Sequence, residues 1–155
     1  MAKTNRSVAA NVILPHIHYS DVAAAIAWLT RVFGFTEYYR YGGSMEQPSG
    51  AQMYLGKAFF QLSRSGSRSA SPAEAGGRST QSLTVFVEDV EAHFAKAKAE
   101  GARFFEEVHE TVYGERQYGV FDLEGHPWLF SCHAKDLSPE DWGARIAVWP
   151  DWEES

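Results

Sequence analysis

His16 and His18 are separated by one residue, and in a strand alternate residues share a face, so both imidazoles can converge on one point. His133, at the end of an apolar segment near the C-terminus, has the equivalent parity there. Three imidazoles can hold zinc, and one neutral imidazole is a serviceable general base near pH 7. These three histidines are the candidate catalytic residues; hydrogen bonding within a cleft is their plainer use. Arg116 can hold a developing oxyanion, or pair with Glu106 or Glu107. Gln61, Ser82, Thr84, Phe86 and Ser131 lie on the same parity as the histidines and, with Arg116, are the candidate substrate-binding residues. Tyr113 and Tyr118 flank Arg116 and can stack on a planar ligand or simply pack. His126 falls in an expected turn as a buttress, and His93 and His109 are expected on the surface. No Ser/His/Asp arrangement or phosphate-binding glycine loop is evident, and Cys132 falls on an apolar parity, so nucleophilic catalysis is not indicated.

The elements that must position these groups repeat. Two segments about 68 residues apart follow one plan. Asn11 to Tyr19 leads through Ser20-Asp21-Val22 into a helical run from Ala23 to Phe33, closed by Gly34. Leu83 to Val87 leads through Glu88-Asp89-Val90 into a helical run from Glu91 to Glu100, closed by Gly101. Asp21 and Asp89 can accept from free first-turn amides, and the glycines can turn left-handed after the last turn. Three short alternating segments follow each helix: Glu37 to Tyr41, Ala51 to Leu55 and Ala58 to Ser63, then Phe104 to Val108, Gln117 to Phe121 and Trp128 to His133. Each half therefore reads as βαβββ, an α+β architecture of two modules, about 11–63 and 79–133, within one domain spanning 1–133. The stretch 64–78, rich in Ser, Gly, Ala and Arg, cannot order itself alone and reads as a flexible linker or, alternatively, a lid.

Parity separates two faces. Ile13, Ile17, Tyr19, Phe60, Leu62, Leu83, Val85, Val87, Trp128, Phe130 and Cys132 form a nearly apolar one, which the helices cover through Val22, Ile26, Leu29 and Phe33 and through Val90, Phe94 and Ala97. The other carries Leu14, His16, His18, Gln61, Ser63, Ser82, Thr84, Ser131 and His133 with Phe59, Phe86 and Leu129. Two helix-backed half-sheets can curl into a cup lined by that second face, with the helices outside.

A chain of 155 residues can bury one sizeable core. A net charge of −6 with no basic stripe argues against nucleic acid and anionic membranes as partners. No apolar run approaches the ~20 residues of a membrane span. A lone cysteine and an N-terminus without an apolar signal core make the cytoplasm the expected compartment. Beyond His133, Ser138-Pro139 should start a short helix, and Ile146, Val148, Trp149 and Trp152 should dock in a C-terminal tail, 134–155.

Together, Leu14-Pro15-His16-Ile17-His18-Tyr19-Ser20-Asp21 before an Ala-rich helix, Val87-Glu88-Asp89-Val90 before Lys96-Ala97-Lys98-Ala99-Glu100-Gly101, and the ending Tyr113-Gly114-Glu115-Arg116-Gln117-Tyr118 with Asp122-Leu123-Glu124-Gly125-His126-Pro127-Trp128 carry a family likeness. From about Val12 to His133 the chain resembles the glyoxalase/bleomycin resistance protein/dioxygenase (vicinal oxygen chelate) superfamily. The resemblance implies paired βαβββ modules around a cup, two-fold homodimers and, in catalytic members, a divalent metal held by His, Gln or Glu. The matching positions here are Leu14, Gln61, Ser82 and Leu129, of which only Gln61 can ligate, so no metal cofactor is expected unless the histidines rebuild a site. The leading expectation is a metal-free cup binding a small polar or planar molecule, as in antibiotic-sequestering relatives. The alternatives are a lyase, isomerase or other enzyme acting on a small oxygenated substrate through a His base or atypical divalent metal, and a non-catalytic structural or interaction domain.

Overall fold

The computed structural model describes residues 5–8 and 13–148. In chain order it contains β1 (His16–Tyr19), α1 (Val22–Phe33), β2 (Thr36–Tyr41), β3 (Gly50–Leu55), β4 (Ala58–Arg64), β5 (Leu83–Phe86), α2 (Val90–Ala99), β6 (Arg103–Glu110), β7 (Glu115–Phe121) and β8 (Pro127–His133), with 3-10 turns at Pro72–Ala75 and Pro139–Trp142. The strands form two four-stranded mixed sheets, β1-β4-β3-β2 and β5-β8-β7-β6, which do not close on one another. This is the α+β arrangement of two βαβββ modules that the repeat predicts. Among the described residues no helix is long and apolar enough to cross a membrane.

Both helices begin where the aspartates stand. The Ala24 amide donates to Asp21 Oδ1 and the Ala92 amide to Asp89 Oδ1, each at 2.9 Å, contacts worth about 1 kcal/mol apiece. Gly34 ends α1 at φ +79°, and Gly101 follows α2 at φ +80°.

The apolar parity of both sheets packs into one core. His16 and Thr84 occupy the same place relative to their capping aspartates, and they pair with Gln61 and Leu129, so Phe60 and Trp128 are equivalent residues of the two modules. Their rings meet at 5.3 Å, Phe35 lies 5.5 Å from Trp128, and Phe33 of α1 reaches Phe130 at 4.9 Å. The modules thus join through their helix-backed faces. Ile13, expected in this core, is instead 79% exposed because β1 pairs only from His16 onward. Asn11 and Val12 lie outside the described residues.

A polar node locks the modules together. The buried Asp122 accepts from Tyr19 Oη of β1 at 2.6 Å, from Trp128 Nε1 at 3.1 Å, and from the amides of Glu124 and His126 at 3.0 Å each. Burial pushes its carboxyl up, and His126 and the hydrogen bonds draw it back toward the ionised form. Burial, followed by the neighbouring Asp122, drives the Tyr19 phenol well above its ordinary value, so it stays a donor. In the same turn, Glu124 accepts from the Ser20 and Asp21 amides at 2.8 and 3.3 Å, and His126 Nε2 donates to the His18 carbonyl at 2.7 Å.

Two expectations are overturned. His93, expected on the surface, is largely buried between the modules, where Nε2 donates to the Phe33 carbonyl at 2.8 Å and Nδ1 accepts from Tyr118 Oη. The stretch 64–78 is an ordered wall. Gly66 bridges Ser69, the Ala73 amide donates to the Glu124 carbonyl at 2.9 Å, and Ser71 and Pro72 are buried. Its composition cannot build a core alone, but the β7–β8 turn of the second module supplies a surface to dock on. The short turn at Pro139–Trp142 forms as expected, with Trp142 against Tyr113 at 5.9 Å. Val148 is exposed, and Trp149 and Trp152 lie outside the described residues.

Removing the node's acceptor strands buried donors, so Asp122→Ala should cost about 3–5 kcal/mol and Tyr19→Phe about 2 kcal/mol in urea unfolding. Desolvation holds the His93 pKa below its unfolded value of about 6.5. The unfolded chain therefore binds the proton more readily, and stability falls as pH drops through 6.5 toward the lower folded value. His93→Gln should remove that part of the decline in melting temperature between pH 7 and pH 5.

Candidate functional site

Strand register assembles the polar face of the first sheet in two rows. Tyr39, Gln52, Gln61 and His16 lie side by side across β2, β3, β4 and β1, and Tyr41, Gly50, Ser63 and His18 form the next row. Within them Gln52 Nε2 donates to Gln61 Oε1 at 3.2 Å and to Tyr39 Oη at 3.3 Å, and Gln61 Nε2 donates to Tyr41 Oη at 3.1 Å. Both amides are buried. Tyr41 lies across Gly50 so closely that a Cβ there would stand 2.3 Å from the phenol oxygen. Burial, then the neighbouring Tyr41, raises the Tyr39 phenol, so it remains a neutral donor. Arg6, Tyr38, Tyr39, Tyr41 and Gln61 line a pocket of about 770 Å3 above this network, within the range of small-molecule sites. Phenols and amides can stack on and hydrogen-bond to a ligand.

The second sheet carries a parallel arrangement. Thr84, Leu129, Gly119 and Glu106 form one row and Phe86, Ser131, Gln117 and His109 the next. Gln117 Oε1 accepts from Ser131 Oγ at 3.2 Å and from Tyr113 Oη at 3.0 Å, and Glu106 pairs with His109 at 3.1 Å.

The sequence-predicted site residues do not meet in one cleft. His16 and His18 share a pocket with His126 and the connector, and Gln61 belongs to the tyrosine-lined one. Thr84 and Phe86 face the β3–β4 turn, Ser131 is buried on Gln117, and Ser82 is exposed ahead of β5. His133 stands apart from the other two histidines. It is 78% exposed, bound to Glu115 at 2.7 Å, in a pocket with Tyr113 and Lys135. The three-histidine constellation therefore does not form, because His133 belongs to the other sheet and the sheets join through their opposite faces. Arg116 pairs across to Cys132, which puts it on the helix-backed face, where it binds neither Glu106 nor Glu107 but Glu91 of α2. Tyr118 is a core residue.

The positions at which the family holds its metal can be tested for fit. Gln61 already shares its amide oxygen with Gln52, Leu14 and Leu129 offer no donor, and Ser82 offers a neutral hydroxyl. That set does not fit a divalent ion. Among the described residues no three His, Cys, Asp or Glu side chains converge on a point. Tyr39, Tyr41 and Gln52 went unremarked in the sequence, although the i, i+2 tyrosines were a signal; the irregular register between Glu37 and Tyr39 obscured their row.

Fold and site together define a paired βαβββ protein with helix-backed sheets and an amide- and phenol-lined pocket. The profile of the Glyoxalase/Bleomycin resistance protein/Dioxygenase superfamily matches residues 13–130, and the chain belongs to that superfamily. Among solved structures it is similar to TioX from Micromonospora sp. ML1, with 31% identity over 83% of this chain and 100% of that one and a TM-score of 0.66. The fosfomycin resistance protein FosX from Listeria monocytogenes shares the fold at 18% identity over 85% and 97% of the two chains, TM-score 0.59. A glyoxalase/bleomycin resistance protein/dioxygenase from Nocardioides does so at 13% identity over 84% and 89%, TM-score 0.56. No curated protein matches the chain significantly.

Because Tyr41 lies across Gly50, Gly50→Ala must move either the ring or the strand. It should cost about 1–3 kcal/mol of stability by overpacking, measured by urea unfolding.

Proposed function

We propose that this protein is a metal-independent binding protein for a small, planar, polar molecule. Its site is the tyrosine- and glutamine-lined pocket of the first sheet. The observation that carries this reading is the row Tyr39-Gln52-Gln61, in which two buried amides lie beneath a pocket of about 770 Å3 walled by three tyrosines. Aromatic faces favour a planar partner, and the amide and phenol groups fix its polar edge. The lack of a metal follows in this reading from the donor set at Leu14, Gln61, Ser82 and Leu129. A second copy of the chain is the expected macromolecular partner: Phe86, 55% exposed, and the half-exposed Phe105 are apolar surface of the second sheet that a homodimer would cover.

Fluorescence titration tests the reading, with bleomycin and naphthalene-2-carboxamide as probes, in the presence and absence of EDTA and with elemental mass spectrometry of the purified protein. The expected outcome is saturable binding of at least one probe that EDTA leaves unchanged, weakened about tenfold by Gln61→Leu or Tyr41→Ala. Binding of neither probe, or stoichiometric metal whose removal abolishes binding, would overturn it.

A further inference from the structure

A second pocket, of about 430 Å3, lies between β1 and the ordered connector. Its lining includes His16 and His18 from β1, His126 from the β7–β8 turn, and Arg68, Arg78 and Thr80 from the connector and the segment after it. No carboxylate contributes to it, in a chain whose net charge is −6.

These two arginines differ from those that the fold holds in ion pairs or on backbone carbonyls. Arg31, Arg40 and Arg116 are paired with Glu100, Glu37 and Glu91, and Arg64 donates to the carbonyls of Gln47 and Pro48. Among the described residues Arg68 and Arg78 make no ion pair or side-chain hydrogen bond. The carboxylates of adjoining segments are already engaged: Glu74 by Ser65 Oγ and the Ser71 amide, Glu124 by the Ser20 and Asp21 amides, Asp122 by Tyr19 and Trp128. Two exposed arginines line a cavity to which no carboxylate contributes, beside three imidazoles and the hydroxyl residues Ser69, Ser79 and Thr80. Guanidinium groups meet the oxygens of a tetrahedral oxyanion through paired N–H donors, and imidazole N–H and hydroxyl groups can complete its shell.

We infer that this connector pocket is an anion site that takes the phosphate group, or an equivalent tetrahedral oxyanion, of a small molecule. The volume leaves room for a modest organic portion beside the anionic group. The walls are held independently of any ligand, since the connector docks through the Ala73 amide and His126 is fixed by its bond to the His18 carbonyl. Burial, and then the proximity of His16 and His126, holds the His18 pKa down. A bound anion offsets that mutual repulsion. The inference is separate from the tyrosine-lined pocket, with which this one shares no lining residue.

Inorganic phosphate is the test ligand, with sulfate, acetate and chloride at matched ionic strength as comparisons, followed by calorimetric titration, thermal melting and the imidazole resonances of His16 and His18. Phosphate and sulfate are expected to bind saturably, raise the melting temperature above that in chloride and shift both resonances, with acetate at least tenfold weaker. Arg68→Gln combined with Arg78→Gln should weaken phosphate binding at least tenfold, while Arg31→Gln leaves it unchanged. His16→Gln, at an exposed side chain, gives a second reading should the double variant fail to fold, and should weaken phosphate severalfold. A phosphate effect no larger than that of chloride, unshifted His16 and His18 resonances, or wild-type affinity in the folded double variant would overturn the inference.

Discussion

The structure depends on one buried carboxylate. Asp122 gathers Tyr19 from the first module and Trp128 from the second, together with two amides of its own turn. A carboxylate so far from water is tolerable only when its oxygens are satisfied, and here four donors do so. The geometry has consequences on both sides. It holds the end of β1 against the start of β8, so that Phe60 and Trp128 meet at the centre of a shared core. It also stiffens the turn that presents Glu124 to the first helix and His126 to β1 and the connector.

Because the modules meet through their helix-backed faces, each sheet keeps its polar face open. The first carries a connected set of amides and phenols, and the second a comparable set centred on Gln117. In each sheet an aromatic ring lies over a glycine, Tyr41 over Gly50 and Phe105 over Gly119, at distances that leave no room for a Cβ. The exposed polar face of the first sheet thus presents neutral donors, acceptors and rings.

Much of the fold was legible residue by residue. Asp21 and Asp89 cap the helices they were expected to cap, Gly34 and Gly101 end them, and the six later strands fall within a few residues of their alternating segments. The site was legible only in part. Parity alone put His16, His18 and Gln61 on one face, and the register agrees. Arg116 was a candidate on its chemistry alone; only the pairing of its strand with Cys132 places it on the helix-backed face, beside Glu91. His93 stands on a weakly amphipathic helix and nothing local distinguishes it from a surface residue, since its partners, Phe33 and Tyr118, are remote in the chain.

What the sequence determined by itself was whatever depends on near neighbours: helix caps, turn glycines, strand alternation, the duplicated module and the family to which it belongs. Local sterics and hydrogen bonding fix these features, so they can be read without knowing what lies across the fold. The tertiary structure alone decided which faces meet. It separated His133 from His16 and His18, ordered a connector whose composition cannot order itself alone, and set two unpaired arginines beside three histidines. Those outcomes rest on contacts between residues far apart in the chain, above all the grip of Asp122 on Tyr19, and no short-range pattern encodes the direction in which two modules will pack.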